Sequence, residues 1–307
     1  MALEFYDTYG ATAGNAEDIR DLLTVVSPSE TPVYSVMPDG EANGTQHIWL
    51  TVPLPTASDN KNVEGKTYTF TSGDTETRKS NYTQIFIKEW KISGTQEAVK
   101  KYGRASDWDA HRLRAMKALK VDIEYELLDN TASASGATTA TAREFKGFGG
   151  AALDGGVTAN AHGTSGSLAP ISEDVLNSPM ETMWTAGARP NKVACSGFVK
   201  RGIAGFLGAG AGRPINSADG SRSMTSVVDS YESDFGRVDI MASRSINPKS
   251  EVVIWDNELV AKAWLRPPFQ ETPPKDGDYF PGILITELTF EYLNPSGVAR
   301  IMRVASA

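Results

Sequence analysis

The sequence predicts an α+β protein, and three observations carry the prediction. Alternating runs between residues 46 and 94 read as long strands, and an apolar stripe between 106 and 130 reads as one long helix. A helix–strand–helix unit followed by further strand runs fills the C-terminal half. The 307 residues allow one large or two ordinary domains, and a 40% hydrophobic composition suffices for a core. No apolar run approaches the roughly 20 residues needed to cross a bilayer. Residues 1–10 are acidic and polar and show no secretory pattern. Cys195 is the sole cysteine, which excludes an internal disulfide and a Cys-based zinc site. The expectation is a soluble protein in a reducing cytoplasm.

Taken in order, residues 1–45 carry Pro28, Pro32 and Pro38 and only a short apolar patch, Leu22 to Val26. One or two helical turns fit around Glu17 to Val26, and the prolines then predict an extended path. Such a segment cannot make its own core and reads as an arm lying on something else. Ile48, Leu50 and Val52 alternate with Trp49 and Thr51, and Tyr68 and Phe70 alternate with threonines. From Asn81 to Ser93 one long strand is expected, with Tyr82, Phe86, Trp90 and Ile92 on one face and Ile85 and Ile87 on the other. Apolar residues on both faces predict cover on both faces, supplied by a neighbour.

The helix over 106–130 is capped by Ser106, with Asp109 three residues on. Ala115, Leu119, Ile123 and Leu127 recur every four residues, flanked by Met116 and Leu128, and form its buried stripe. Glu124, Glu126 and Asp129 crowd its C-terminal end, where the helix dipole disfavours anions, so basic partners are expected. A Thr, Ala, Ser and Gly tract over 131–169 reads as loop around a more structured Arg143 to Leu153. The sequence Ser178-Pro179-Met180-Glu181 resembles a second capping box, so a helix begun at Ser172 should break or kink there. Gly187 ends that unit, Lys192 to Cys195 is a short strand, and Phe198 to Leu207 is a helix. Gly208 to Ser223 is a glycine-rich loop. Strands follow at Gly236 to Met241 and Glu251 to Trp255. A terminal hairpin, Ile283 to Leu293 and Val298 to Val304, should set Glu291 opposite Arg300 and Phe290 opposite Ile301.

The net charge of -8 is unevenly spread. Between Met1 and Thr45, Glu4, Asp7, Glu17, Asp18, Asp21, Glu30, Asp39 and Glu41 stand against Arg20 alone. From Lys61 to Arg104, nine basic residues outnumber five acidic ones. An acidic arm followed by a basic loop suits complementary contacts, within one chain or between copies, as well as two solvated surfaces. Overall acidity argues against a dedicated nucleic-acid binder.

The chemistry is negative throughout. His47, His111 and His162 lack ligand spacing. Gly65-Lys66-Thr67 lacks the earlier glycine of a phosphate loop, where Asn60 stands, and Gly208 to Gly212 lacks a dinucleotide fingerprint, with Arg213 in place of the third glycine. The stretch Gly163 to Ser167 fails the nucleophile-elbow pattern. Cys195 reads as a buried structural cysteine, and Asp229, Glu232 and Asp234 as a solvated turn.

Several stretches together carry a resemblance: Arg78 to Phe86, Val99 to Gly103, Leu113 to Asn130, Tyr231 to Gly236, Leu265-Arg266-Pro267 and Glu287 to Glu291. On these the chain resembles tailed-bacteriophage major capsid proteins, in particular the long-genome siphophage branch. The resemblance implies the Hong Kong 97-like capsid fold. It implies an N-terminal arm over 1–45, an extended β-hairpin loop over 46–94, and a peripheral domain with a spine helix over 95–170. An axial domain over 171–262 and return strands to the peripheral domain over 263–307 complete it.

The implied function is that of a coat protein whose copies form hexamers and pentamers of an icosahedral head enclosing double-stranded DNA. No enzymatic activity, cofactor or metal is implied. The candidate subunit-interface residues are Glu17, Asp18 and Asp21 on the arm, Trp49, Lys66, Phe70, Lys88, Trp90 and Lys91 on the loop, and Arg213 on the glycine-rich tip. Lys66 lacks the acid and asparagine context of an isopeptide crosslink. The implied partners are copies of the chain, then scaffolding, decoration and portal proteins, and DNA contacted non-specifically, with no membrane. The implied location is the virion capsid, assembled in the host bacterial cytoplasm. Two rivals stand beside this reading: a nanocompartment shell of the same fold enclosing protein cargo, and a soluble enzyme or sugar-binding β-rich protein.

Overall fold

The computed structural model describes residues 30–52, 57–68, 70, 75–101, 103–136, 141–160, 170–206, 215–216, 223–224, 229–246, 251–302 and 304. In chain order its elements are α1 (Pro32–Val36), β1 (Asp39–Glu41), β2 (Gln46–Thr51), β3 (Thr77–Tyr82), β4 (Gln84–Ser93), α2 (Gly94–Ala98) and the long α3 (Asp107–Asp129). Next come β5 (Ala134–Ser135), β6 (Arg143–Glu144), α4 (Phe148–Leu153), β7 (Val157–Asn160), α5 (Glu173–Thr185), β8 (Lys192–Cys195) and α6 (Gly197–Ala204). The remainder is β9 (Ile215–Asn216), β10 (Ser223–Met224), β11 (Ser230–Ser233), β12 (Gly236–Ala242), β13 (Val252–Trp255), β14 (Val260–Glu271), β15 (Tyr279–Tyr292) and β16 (Val298–Met302).

Two sheets organise these elements. The first has the order β1-β14-β15-β4, and the second β11-β12-β8-β13-β16-β7. Phe86, Trp90 and Ile92 of β4 and Leu284, Leu288 and Phe290 of β15 share one core with Leu119, Ile123 and Leu127 of α3. Gly282 lies opposite Trp90, and a Cβ there would strike the indole ring, so the glycine lets the tryptophan lie across the strand. A second core packs Leu176, Met180 and Met183 of α5 and Val199 and Ile203 of α6 against Val193, Ile240 and Ile254. Strand β13 serves both cores by period-2 alternation: Val253 and Trp255 face the first, Val252 and Ile254 the second.

The long helix forms where its pattern places it. Ser106 caps it by accepting a hydrogen bond from the Asp109 N–H at 3.2 Å, and Leu119, Ile123, Leu127 and Leu128 are buried. Gly187, at φ +91°, follows the C-terminus of α5 in the left-handed conformation that glycine adopts freely.

Five expectations are corrected. The strand over 81–93 is two strands: β3 ends at Tyr82 and pairs with β2, and β4 starts at Gln84 and pairs with β15. The break is at buried Thr83, whose N–H donates to Thr45 O at 2.9 Å and whose hydroxyl donates to Glu287 Oε1 at 2.7 Å. The terminal hairpin does not form either. Glu291 lies opposite Ala261 and Arg300 opposite Val253, because the turn at Pro295–Gly297 hands the chain from one sheet to the other. Helix α5 continues through Pro179, capped by Ser172 rather than Ser178. Burial of Leu176, Pro179, Met180 and Met183 on one face outweighs the proline's cost of about 3 kcal/mol.

Pro32 does not extend the chain but opens α1, because the first helical position needs no N–H. Finally, Glu124 meets no basic partner among the described residues. It is fully buried, and its Oε2 accepts from the N–H groups of Val33 at 3.1 Å and Tyr34 at 3.2 Å, while Oε1 accepts from the Ser243 hydroxyl at 2.6 Å. The expected helix at Glu17 to Val26 lies outside the described residues.

Candidate assembly surfaces

Strands β2 and β3 form a hairpin in register from Gln46–Tyr82 to Thr51–Thr77. Buried polar groups fix its root. Asn81 is inaccessible: its amide donates to Lys146 O at 2.9 Å and Phe290 O at 2.8 Å, and its carbonyl accepts from Lys146 N–H at 2.8 Å. Lys79 reaches across to the Asp154 carboxylate at 3.2 Å, which Lys146 at 3.3 Å and the Tyr292 hydroxyl at 2.7 Å also hold. Burial opposes the Asp154 charge, but the Tyr292 hydroxyl and the two lysines outweigh it and hold the carboxyl below its ordinary value. Burial, together with the same carboxylate, pushes the Tyr292 hydroxyl up.

Beside the root, buried Glu287 is shared by Arg143, Arg266 (2.9 Å) and Thr83 (2.7 Å). In the largely apolar run Ile283 to Phe290 this carboxylate is the one acidic side chain, and two guanidiniums and a hydroxyl surround it. The hairpin is therefore a projecting arm bolted to the first sheet by charge and hydrogen bonds.

Between β2 and β3 the chain exposes apolar side chains among charged ones. Tyr68 is 85% and Phe70 93% exposed, and Val63 is exposed as well. Ile48 and Leu50 of β2 and Val52 just beyond it are exposed, and Leu50 and Val52 line a cleft of about 820 Å³ with Leu259, Leu293 and Pro295. On the face of the first sheet away from α3, Ile87, Ile285 and Phe269 lie in register across β4, β15 and β14. Ile87 and Phe269 are exposed there. One chain leaves these surfaces open to water, an arrangement typical of interaction sites.

The predicted interface residues separate into three groups. Glu17, Asp18, Asp21 and Arg213 lie outside the described residues. Trp49 and Trp90 are corrected to core positions. Trp49 packs edge-on against Tyr292 at 5.0 Å and Trp90 against Trp108 at 5.8 Å, because strand alternation turns both inward. Lys88 shares that inward parity and pairs with Asp122 of α3 at 2.5 Å. Lys66, Phe70 and Lys91 are exposed; the Lys66 ammonium donates to Asn62 within its own loop, and Lys91 lies 5.6 Å from the Tyr279 ring centre.

The basic surplus of the loop is likewise not one surface. Lys79, Lys88, Lys101 and Arg104 are paired with carboxylates of their own chain. Sequence reasoning missed Asn81, Asp154 and Glu287. Their only signal was a polar side chain inside or beside an apolar run.

Among the described residues no group of His, Cys, Asp and Glu is arranged to hold a metal ion. None of their helices is long and apolar enough to cross a membrane. Cys195 is buried, and its thiol is pushed up to about 12 by that burial, as an inert structural cysteine requires.

Comparison with known proteins places this architecture. The major capsid protein of Escherichia phage Phieco32 is 31% identical over 120 residues, a match spanning 39% of this chain and 34% of that protein. The match thus spans about a third of that relative's length. In three dimensions the chain is similar to the cyanophage A-1(L) capsid asymmetric unit, with a TM-score of 0.71 and 11% identity over 98% of this chain and 100% of that one. It is also similar to an encapsulin complex of Synechococcus elongatus, with a TM-score of 0.59 and 12% identity over 98% of this chain and 96% of that one. The fold is Hong Kong 97-like. The family model described as SU10 major capsid protein matches residues 6–305, almost the whole length, and the chain belongs to that family.

Proposed function

We propose that copies of this chain assemble into hexamers and pentamers that close as an icosahedral head around double-stranded DNA, in the host cytoplasm. The subunit acts by shape and contact and performs no catalysis. One observation carries the reading: a rigidly rooted hairpin ends in exposed Val63, Tyr68 and Phe70, which its own subunit does not bury. The second core, on α5 and α6, corresponds to an axial domain. The first core, with α3, corresponds to the peripheral domain. Residues 1–29 belong to the arm of this reading, and Val33 and Met37 anchor its end in the core. Scaffolding, decoration and portal proteins are the further partners of such a shell, and DNA is held without sequence preference.

Light scattering and negative-stain microscopy of the purified protein test assembly, with megadalton particles or capsomer-sized rings expected. A species that stays monomeric with scaffold supplied overturns the reading. The encapsulin likeness favours a second reading, a shell around protein cargo. Nuclease treatment of particles separates the two: protected DNA supports the head, and co-purifying protein without nucleic acid supports the compartment.

A further inference from the structure

Helix α3 carries an uncovered ridge whose far end is already occupied by the N-terminal segment. Leu113 is 55% and Met116 41% exposed, and Arg114, Lys117 and Lys120 are exposed with them. Positions 113, 116, 117, 120 and 124 recur at three- and four-residue steps, so they form one line along the helix. At its C-terminal end α1 sits on Glu124, and the Lys120 ammonium lies 5.7 Å from the Tyr34 ring centre. At its N-terminal end a 380 Å³ cleft opens among Arg104, Ser106, Leu113, Arg114 and Lys117. Arg114 and Lys117 make no ion pair among the described residues.

The chain reaches α1 from Glu30, which pairs at 3.5 Å with Arg244, the neighbour of the Ser243 that bonds Glu124. Residues 1–29 therefore leave the described structure beside the occupied end of the ridge. They carry Glu17, Asp18 and Asp21 next to Leu22, Leu23, Val25 and Val26. From residue 124 to residue 113 the helix rises about 16 Å. The nine residues from Glu30 back to Asp21 reach about 30 Å when extended. The arm is long enough to cover the whole line within its own subunit.

We infer that residues 17–26 dock on this ridge of their own chain, with carboxylates against Arg114, Lys117 and Lys120 and apolar side chains over Leu113 and Met116. A nucleic acid would neutralise the cations but leave Leu113 and Met116 in water, whereas the arm supplies both chemistries. The inference goes beyond the shell reading and does not rest on it, because ridge and arm belong to one chain.

The test is zero-length carbodiimide crosslinking of the full-length protein, prepared as a mixture of unlabelled and ¹⁵N-labelled copies and read by mass spectrometry. Crosslinks from Glu17, Asp18 or Asp21 to Lys117 or Lys120 are expected, with both halves carrying the same label. Arg114→Glu, which leaves both lysines reactive, should lower their yield about fivefold, the scale of one surface ion pair. Glu17→Arg in that background should restore part of it. Mixed-label crosslinks would assign the ridge to a neighbouring copy and overturn the inference. Absence of these crosslinks, or loss of ridge accessibility only when DNA is added, would overturn it equally.

Discussion

Glu124 ties the N-terminal segment, the spine helix and the loop after β12 into one knot, and replacing it measures what that knot contributes. Its carboxylate serves three donors: the N–H groups of Val33 and Tyr34 and the Ser243 hydroxyl. In Glu124→Ala the hydroxyl can turn elsewhere, but two buried N–H groups lose their acceptor at about 1–3 kcal/mol each. Relief of a buried charge offsets part of this, leaving a loss of roughly 3 kcal/mol. For 307 residues, at about 2.1 cal/mol/K of unfolding entropy per residue, that lowers the midpoint of thermal unfolding by about 5 °C. In Glu124→Gln the amide oxygen can serve both N–H groups and the amide nitrogen can donate to Ser243, so stability should stay within about 1 kcal/mol.

The two variants also differ in pH response. Burial raises the Glu124 carboxyl above its ordinary value, against the opposing pull of Ser243, Tyr34 and Val33. The native state then binds this proton more readily than the unfolded chain. The contribution of this group to stability therefore falls as pH rises from the ordinary carboxylate range through the raised native value. Thermal unfolding of unassembled subunits, followed by circular dichroism across that range, should show wild-type stability rising relative to Gln on acidification. An Ala variant as stable as Gln, or a difference flat with pH, would refute the reasoning.

Three further outcomes follow from the same geometry. Asn81→Leu leaves the Lys146 N–H and two carbonyls unpaired at the hairpin root; it should cost about 3 kcal/mol and speed hydrogen exchange in β2 and β3. Glu287→Ala leaves Arg143 and Arg266 facing each other and should cost about 2–4 kcal/mol in urea unfolding, discounted from a fully buried pair because both guanidiniums are partly exposed. Cys195 should resist thiol reagents at neutral pH in the native protein and react at the rate of global unfolding in urea.

The sequence by itself determined the local elements and the family. Ser106, the four-residue apolar recurrence and Gly187 each act within a few residues of chain, so the spine helix and the end of α5 were legible from spacing alone. The β2 strand was legible from its alternation, but β3, Thr77–Tyr82, and its pairing with β2 were not. Nor were the partners of the other strands. Runs 283–292 and 298–302 are adjacent in sequence and look like a hairpin, yet each finds distant neighbours, because pairing is set by which faces can be buried together.

The inward turn of Trp49 and Trp90 was equally illegible, since alternation defines two faces without saying which one meets the core. The same holds for charge. Counting lysines between 61 and 104 describes a basic loop, but only the tertiary structure decides that Lys79, Lys88 and Lys101 are spent on Asp154, Asp122 and Glu97 of their own chain. Periodicity is a local property of the sequence, whereas burial and ion pairing depend on what lies across the fold.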